Sequence, residues 1–248
     1  MPYLKEVLFN WERIKDRDKF PFNIPSISGI NNIVINSNVT YFIGENGSGK
    51  STLLEAIALK CGFGVLGGGK NNLVEDKEVR PGLEELITLS WMPRLKEGFF
   101  LRAETFFNFA NYLDELSNDP FSGGRNVYSP YGGKSLNEQS HGEAFLSLFL
   151  NRFHNKGIYI LDEPEAALSP QRQLAFIRIM WQLEQEEKAQ FIIATHSPIL
   201  MAYPNATIFN FEKAPLDVID YEESEHYQLT KNFLNDRESF LKRLLVDE

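Results

Sequence analysis

The sequence predicts an α/β fold with a mostly parallel central sheet, an N-terminal antiparallel β portion and a small helical lobe. Apolar runs at 39–43, 157–162 and 191–195 lack polar alternation, which is typical of strands buried on both faces of a parallel sheet. Segments with helical spacing of apolar residues lie between and after these runs. The stretch before residue 39 instead contains short strand candidates separated by turn residues, which indicates the antiparallel portion.

The length of 248 residues suits a single domain over 1–248, with an inserted helical lobe at about 103–150 and a C-terminal helix at about 230–245. The one cysteine, Cys61, forbids an internal disulfide and a multi-cysteine metal site. No apolar run approaches the roughly 20 residues that span a bilayer, and the N-terminus lacks a signal-peptide pattern. We therefore expect a cytoplasmic protein with no membrane contact.

The net charge of −9, from 25 basic and 34 acidic side chains, argues against attraction of nucleic acid to the whole surface. Local basic pairs remain as candidates for such contact, namely Arg94 with Lys96 and Arg125 with Lys134. Solvated loops rich in charge are common, so we favour an unidentified protein partner over direct nucleic-acid binding.

The first elements are a strand at 3–9 and a pair of strands within 31–43, on either side of a turn cluster at 36–38. Between them, the aromatic stretch 20–25 is expected to be extended. One of its rings is a candidate for stacking on a nucleotide base, although packing in the core is the more common role of such rings.

The segment 44–52, GENGSGKST, fits the pattern G-x-x-x-x-G-K-[ST], with a strand before it and a helix after it. Its glycines allow the backbone N–H groups to converge on phosphate oxygens, at the positive end of the following helix. Lys50 supplies a charge for the β- and γ-phosphates, and the Ser51 hydroxyl suits Mg²⁺. We predict that a nucleoside triphosphate is bound by Asn46, Gly47, Ser48, Gly49, Lys50, Ser51 and Thr52, and that Ser51 also contacts Mg²⁺.

The remaining elements follow from periodicity and turn residues. A glycine-rich stretch at 62–69 is expected to be a mobile surface loop, and 118–134 a long loop. The predicted strands lie at 86–91, 99–102, 157–163, 191–195 and 206–211, and the predicted helices at 50–60, 103–117, after Ser140, and at 169–187.

Polar residues follow two of the buried strands, at the strand ends where an open α/β sheet binds its ligands. Asp162 ends one strand and is suited to hold Mg²⁺ together with Ser51. Glu163 is suited to polarise an attacking water, and His196 to hydrogen-bond that water or the γ-phosphate. We therefore predict Glu163 and His196 as catalytic residues, and Ser51 and Asp162 as metal ligands.

These motifs resemble those of the ABC-type ATPases, and in particular their soluble, non-transporter branch, which includes small standalone bacterial ATPases. The resembling segments are the Walker A motif at 44–52, the signature at 140–143, the Walker B motif at 160–164, the D-loop at 165–169 and the switch histidine His196. The resemblance implies the P-loop fold of that family, with ATP hydrolysis as its activity.

The resemblance also implies an ATP-dependent, head-to-tail homodimer in which Ser140, Gly142 and Glu143 of one subunit complete the partner's nucleotide site. Two departures accompany it. His141 stands where a second glycine is usual, and no glutamine marks the Q-loop, for which Glu104 is a weak stand-in.

Three functions stay open at this point. The first is an ATP-driven dimerisation switch acting with a partner, for example in DNA repair or phage defence. The second is the nucleotide-binding subunit of a transporter, and the third is a nucleotide-gated regulator with low turnover. The altered signature and missing glutamine weigh against the second function, and Glu163 weighs against the third.

Overall fold

The computed structural model describes residues 1–64, 82–119, 124–152 and 156–245, without the side chains of residues 124–126, 141 and 152. The strands are β1 (Leu4–Phe9), β2 (Asn32–Val34), β3 (Val39–Ile43), β4 (Ile87–Trp91), β5 (Glu97–Arg102), β6 (Gly157–Asp162), β7 (Ala189–Ala194), β8 (Thr207–Asn210) and β9 (Asp217–Ile219). The helices are α1 (Lys50–Cys61), α2 (Leu83–Leu86), α3 (Phe106–Asn118), α4 (His141–Arg152), α5 (Pro170–Gln185), α6 (Pro198–Met201), α7 (Glu225–Asn235) and α8 (Arg237–Leu244).

The larger sheet has six strands in the order β5-β6-β7-β3-β8-β9. All neighbouring pairs are parallel except β8 and β9. Every residue of β3, β6 and β7 is buried, as expected for central strands covered on both faces. The predicted α/β class with a mostly parallel central sheet is therefore confirmed.

The smaller sheet is antiparallel, with the order β2-β1-β4, and confirms the predicted N-terminal β portion. The two strands on either side of the turn at 36–38 are both present, but they do not pair with each other. Val7 of β1 lies opposite Ile33 of β2, whereas β3 enters the centre of the larger sheet. The difference follows from burial, because β2 buries only its middle residue and β3 buries all five.

The two faces of the larger sheet are covered by different helices. On one face, α1 and the antiparallel sheet pack against apolar side chains that include Phe42. On the other face, α4 and α5 pack against a cluster that includes Tyr41, the preceding residue of β3. The rings of Phe149 and Phe176 join α4 to α5, with centroids 4.6 Å apart. The core therefore fixes α1 and α4 on opposite faces of the sheet.

The helical lobe contains α3 and the beginning of α4. The predicted loop at 118–134 instead includes a 3₁₀ helix from Gly124 to Tyr131. Asp114 of α3 holds this region, because its carboxylate accepts hydrogen bonds from Tyr128 Oη and Ser135 Oγ, each at 2.7 Å. Turn residues alone do not predict this 3₁₀ helix, because the hydrogen bonds that hold it come from α3, a separate element. The predicted glycine-rich surface loop lies outside the described residues from residue 65 onward.

The C-terminal helix predicted at about 230–245 is two helices, and the first begins earlier than expected. The interruption falls at Asp236, whose side chain accepts a hydrogen bond from the Ser239 backbone N–H at 3.2 Å. Asp236 therefore caps a new helix, which is a frequent role of aspartate. Of the helices within the described residues, none combines the length and apolar character required to cross a membrane.

Candidate functional site

The turn between β3 and α1 has a backbone that requires glycine. Gly49 has φ of +104°, and a Cβ built on it would lie 2.6 Å from Ile24 Cγ2. Gly47 has φ of +82°. Gly49 also occupies the N-cap position of α1, and within the described residues no side chain caps this helix end. The first N–H groups of α1 are therefore available for an anion.

The sequence predicts an extended stretch at 20–25. This prediction is wrong, because the stretch forms successive turns. The Ile27 backbone N–H donates to Ile24 O at 3.0 Å. Ser26 Oγ donates to Ser48 O at 2.7 Å, so these turns support the glycine loop from beneath. Phe20 is 69% exposed, and Phe22 is half-buried against the core.

Lys50 places a buried cation inside the glycine turn. Its side chain is only 4% exposed, and Nζ donates hydrogen bonds to the carbonyl oxygens of Gly44 and Glu45, the latter at 2.9 Å. Burial lowers the pKa of Lys50, while the charges of Glu163 and Asp162 oppose that shift. A cation held by carbonyl groups in this way provides a binding partner for phosphate oxygens.

Asp162, at the end of β6, lies against the start of α1. Its Oδ1 accepts a hydrogen bond from Ser51 Oγ at 3.0 Å, so the two residues predicted as metal ligands are adjacent. Its Oδ2 accepts from Arg102 Nε at 2.9 Å, and Arg102 also pairs with Glu55. Arg102 occupies the last position of β5, directly beside Asp162 in the parallel register.

The donor set at this point fits Mg²⁺. It combines a hydroxyl oxygen of Ser51 with a carboxylate oxygen of Asp162, and Mg²⁺ is commonly held by few protein ligands together with substrate phosphates and waters. No group of three or more histidine, cysteine, aspartate or glutamate side chains within the described residues is arranged to hold a metal. The metal would therefore depend on the nucleotide for its remaining ligands.

Glu163 has an unusual backbone conformation, with φ of 50° and ψ of 51°, in the left-handed region. Its N–H donates to Ala194 O at 2.9 Å, which ties the turn after β6 to the end of β7. The carboxylate Oε1 lies 3.4 Å from His196 Nε2. A non-glycine residue in this region marks local strain, which is concentrated at functional sites.

His196 follows β7 and is held by hydrogen bonds at its backbone N–H and at Nδ1. Its backbone N–H donates to Glu165 Oε1 at 2.6 Å, and its Nδ1 lies 2.9 Å from His226 Nε2. Burial lowers the pKa of His196, and the charges of Lys50 and His226 lower it further. Burial likewise raises the pKa of Glu165. The His196 ring is therefore neutral at pH 7.

Ser140, Gly142 and Glu143 form a separate cluster at the start of α4. The Glu143 carboxylate accepts hydrogen bonds from the Ser140 backbone N–H, at 3.1 Å, and from its hydroxyl. Arg172 of α5 donates to Ser140 Oγ at 3.1 Å and packs directly on Gly142. Within the described residues, no hydrogen bond or ion pair joins this cluster to Lys50.

Arg102 and Arg172 were not singled out from the sequence, whereas Glu165 belongs to the segment that resembles the D-loop, and His226 was given no functional role. The pairing of β5 with β6 places Arg102 beside Asp162, but this signal is available only once the strand order is known.

Glu104, the weak Q-loop candidate, has an exposed side chain in the 3₁₀ turn after β5. Arg94, Lys96 and Lys134 are exposed, and the side chain of Arg125 lies outside the described residues. Nucleic-acid contact there stays a prediction.

The fold and the phosphate-facing turn define a P-loop nucleotide-binding class, and two family profiles refine it. The profile described as an AAA domain matches residues 22–88. The profile described as an AAA domain, putative AbiEii toxin, Type IV TA system, matches residues 143–202. Each profile covers less than half of the chain, and together with the α/β fold the two matches confirm the resemblance to ABC/AAA-type ATPases found in the sequence.

Distant structural similarity accompanies the profile matches. The SMC head domain from Thermotoga maritima has 18% sequence identity and a TM-score of 0.47, covering 89% of this chain and 100% of that one. The protein cbiO1 from Clostridium perfringens, part of the ABC transporter complex cbiONQ, has 17% identity and a TM-score of 0.46, covering 99% of each chain. A search of curated proteins finds no significant match.

Proposed function

We propose that this protein binds and hydrolyses ATP with Mg²⁺. The observation that carries the proposal is the convergence of Lys50, Glu163 and His196 at the carboxyl ends of β3, β6 and β7. These strands are adjacent in the sheet order β6-β7-β3, so their ends meet at one edge. The edge combines a buried cation, a carboxylate beside a neutral imidazole, and an uncapped helix N-terminus. This set suits phosphoryl transfer to water.

The proposed roles follow from the position of each group. Lys50 and the N–H groups at the start of α1 bind the phosphates, and Gly47, Ser48 and Gly49 shape the loop that holds them. Asn46 and Thr52 flank the same loop. Ser51 and Asp162 hold Mg²⁺, which when bound neutralises phosphate charge.

Glu163 orients and polarises the attacking water in this proposal, because a carboxylate one residue beyond the metal ligand lies beside the γ-phosphate. The strained backbone of Glu163 aims its carboxylate at His196 rather than along β6. The neutral His196 ring hydrogen-bonds the water or the γ-phosphate through Nε2, the nitrogen that lies beside Glu163 Oε1.

We further propose that hydrolysis requires an ATP-dependent homodimer. Within the part of the chain that the structure describes, no hydrogen bond or ion pair joins the signature cluster of Ser140, Gly142 and Glu143 to Lys50, and this cluster lies at the N-terminus of α4. An exposed helix N-terminus with a hydroxyl suits the phosphate of a second copy. Such a dimer would act as a switch on a protein partner, and roles in DNA repair or phage defence are compatible with it.

The substitution Glu163→Gln tests the proposal, because it removes the charge that polarises water and keeps the side-chain shape. We expect the rate of phosphate release to fall by about 10² or more, the scale of a catalytic base, with ATP binding retained. The matched control is Glu187→Gln, since Glu187 is exposed and has nearly the same φ, 52°, at a distant turn after α5. Equal phosphate release by wild type and the Glu163→Gln variant would exclude the assigned role.

A further inference from the structure

The histidine pair between the end of β7 and α7 extends the nucleotide site to a part of the chain that the motifs do not include. His196 Nδ1 lies 2.9 Å from His226 Nε2, with ring centroids 5.0 Å apart. On the other side of His196, its Nε2 lies 3.4 Å from Glu163 Oε1. A line of three side chains thus runs from Glu163 through His196 to His226.

The hydrogen-bonding requirements of this line favour one arrangement of protons. Neutral histidine has one donor and one acceptor nitrogen. With the proton of His196 on Nε2, the N–H points towards the Glu163 carboxylate, and the bare Nδ1 accepts from His226 Nε2–H. The His196 N–H then lies beside a carboxylate that attracts it, although His196 Nε2 and His226 Nδ1 are both buried without a hydrogen-bond partner among the described residues.

The opposite arrangement has two costs. If His196 donates from Nδ1, its Nε2 lone pair faces the carboxylate of Glu163, which is a repulsive contact. His226 would then carry its proton on Nδ1, a buried atom for which no acceptor is found within the described residues. Both arrangements leave one buried N–H without a hydrogen bond, but only the first places that N–H beside a negative charge. The first arrangement is therefore the more stable.

The position of His226 is fixed by packing at the start of α7. The neighbouring Tyr227 packs its ring on Tyr221, with centroids 4.5 Å apart. Tyr221 Oη donates to the backbone oxygen of Pro198, two residues after His196. This hydrogen bond joins the turn before α7 to the segment that carries His196, so His226 is held in place relative to the ring that it contacts.

We propose that His226 is a positioning residue, which holds the ring of His196 with its N–H on Nε2 and directed at Glu163. His226 itself touches neither nucleotide nor water in this proposal and acts through His196. Its effect on turnover rests on the proposed ATPase function, whereas the proton position of His196 does not. The two parts are therefore tested by separate measurements.

The first experiment compares His226→Gln with His226→Leu. The glutamine amide places an N–H donor near the position of Nε2, whereas leucine has similar bulk and no donor. We expect His226→Leu to lower kcat about tenfold or more, with KM for ATP within about threefold of wild type, because a tenfold change corresponds to one hydrogen bond of about 1.4 kcal/mol. His226→Gln should retain kcat within about threefold.

The matched control is Asn232→Leu, which places the same apolar side chain at an exposed position of α7. It should leave kcat unchanged. The inference is overturned if His226→Leu retains wild-type kcat. It is equally overturned if His226→Gln loses as much kcat as His226→Leu while both keep the melting temperature of wild type.

The second experiment reads the proton position directly and needs no hydrolysis. Long-range ¹H–¹⁵N correlation spectra of ¹⁵N-histidine protein, assigned with the His196→Asn and His226→Gln variants, report which ring nitrogen carries hydrogen. We expect Nε2–H on both rings in wild type. Nδ1–H on His196 in protein that hydrolyses ATP would overturn this inference alone. Nε2–H on His196 in protein without ATPase activity would contradict the proposed function alone.

Discussion

The start of α1 and the start of α4 are both helix N-termini with polar side chains nearby, but they differ in burial and in their partners. At α1, Lys50 is 4% exposed and its amine is surrounded by carbonyl oxygens of the same loop. At α4, the Glu143 side chain is 61% exposed, and the Ser140 side chain is exposed as well. The two ends belong to opposite faces of the central sheet.

In the proposed function, this difference separates a phosphate site that one chain builds from a surface that acts only in a dimer. The loop before α1 already has the shape, the charge and the open N–H groups that a phosphate requires. The start of α4 instead satisfies Ser140 with Glu143 and Arg172 of the same chain. If α4 acts on a nucleotide, substitutions at the start of α1 should change ATP binding, whereas substitutions at the start of α4 should change dimer assembly.

The largest expected effect is the loss of ATP binding on Lys50→Ala. Removing a buried charge-assisted donor costs about 1.5–3 kcal/mol or more, so the dissociation constant for ATP·Mg²⁺ should rise by about 10–100-fold or beyond calorimetric detection. Lys60→Ala is the matched control, because it removes the same charge from the exposed end of the same helix. Wild-type affinity in Lys50→Ala would contradict the phosphate-binding role.

The next effect concerns assembly, and it tests the start of α4. We expect the Glu163→Gln variant with ATP to have twice the mass of the nucleotide-free protein in light scattering, since ligand and dimer promote each other reciprocally. Adding Ser140→Arg to that variant should keep it monomeric while ATP binding to the monomer stays within about threefold. The arginine would project from the surface that the proposed partner site must cover.

The control for that experiment is Leu150→Arg, which adds the same side chain to an exposed position near the other end of α4. It should leave the ATP-dependent dimer intact. An identical mass with and without ATP in the Glu163→Gln variant would exclude the switch. Dimers in both arginine variants would instead remove the start of α4 from the interface.

The smallest expected effect is on the pH dependence of stability. The pKa of His196 is lowered in the folded protein, by burial first and then by the charges of Lys50 and His226. As the pH falls through about 6.5, the unfolded state therefore binds more protons than the folded state. The free energy of unfolding consequently decreases below that pH. Between pH 7.5 and pH 5.5, urea unfolding should show a larger loss of unfolding free energy for wild type than for His196→Asn.

The difference between the two proteins should be small, since the His196 side chain is 27% exposed and solvent screens its charge. Asparagine offers a side-chain oxygen near the place of Nδ1, so the contact with His226 is kept while the titrating group is removed. A larger loss in His196→Asn than in wild type would reverse the assigned direction.

Several features of this protein follow from short stretches of sequence. The glycine loop can be predicted because the strand, the turn glycines and the helix start at Lys50 are contiguous, and φ preferences act within a few residues. The apolar runs ending at Asp162 and before His196 likewise predict buried parallel strands, whose ends carry the acidic and imidazole groups. The class of fold and the candidate phosphate site are therefore local properties of the sequence.

Other features were decided only by tertiary packing. The pairing of β2 with β1 rather than β3 depends on which strand the core buries completely, and the turns at 20–25 depend on the loop that they support. Arg102, Arg172 and His226 meet Asp162, Ser140 and His196 across 60, 32 and 30 residues. No periodicity or motif extends over such separations, because these contacts exist only when the strand order and the helix packing bring the side chains together.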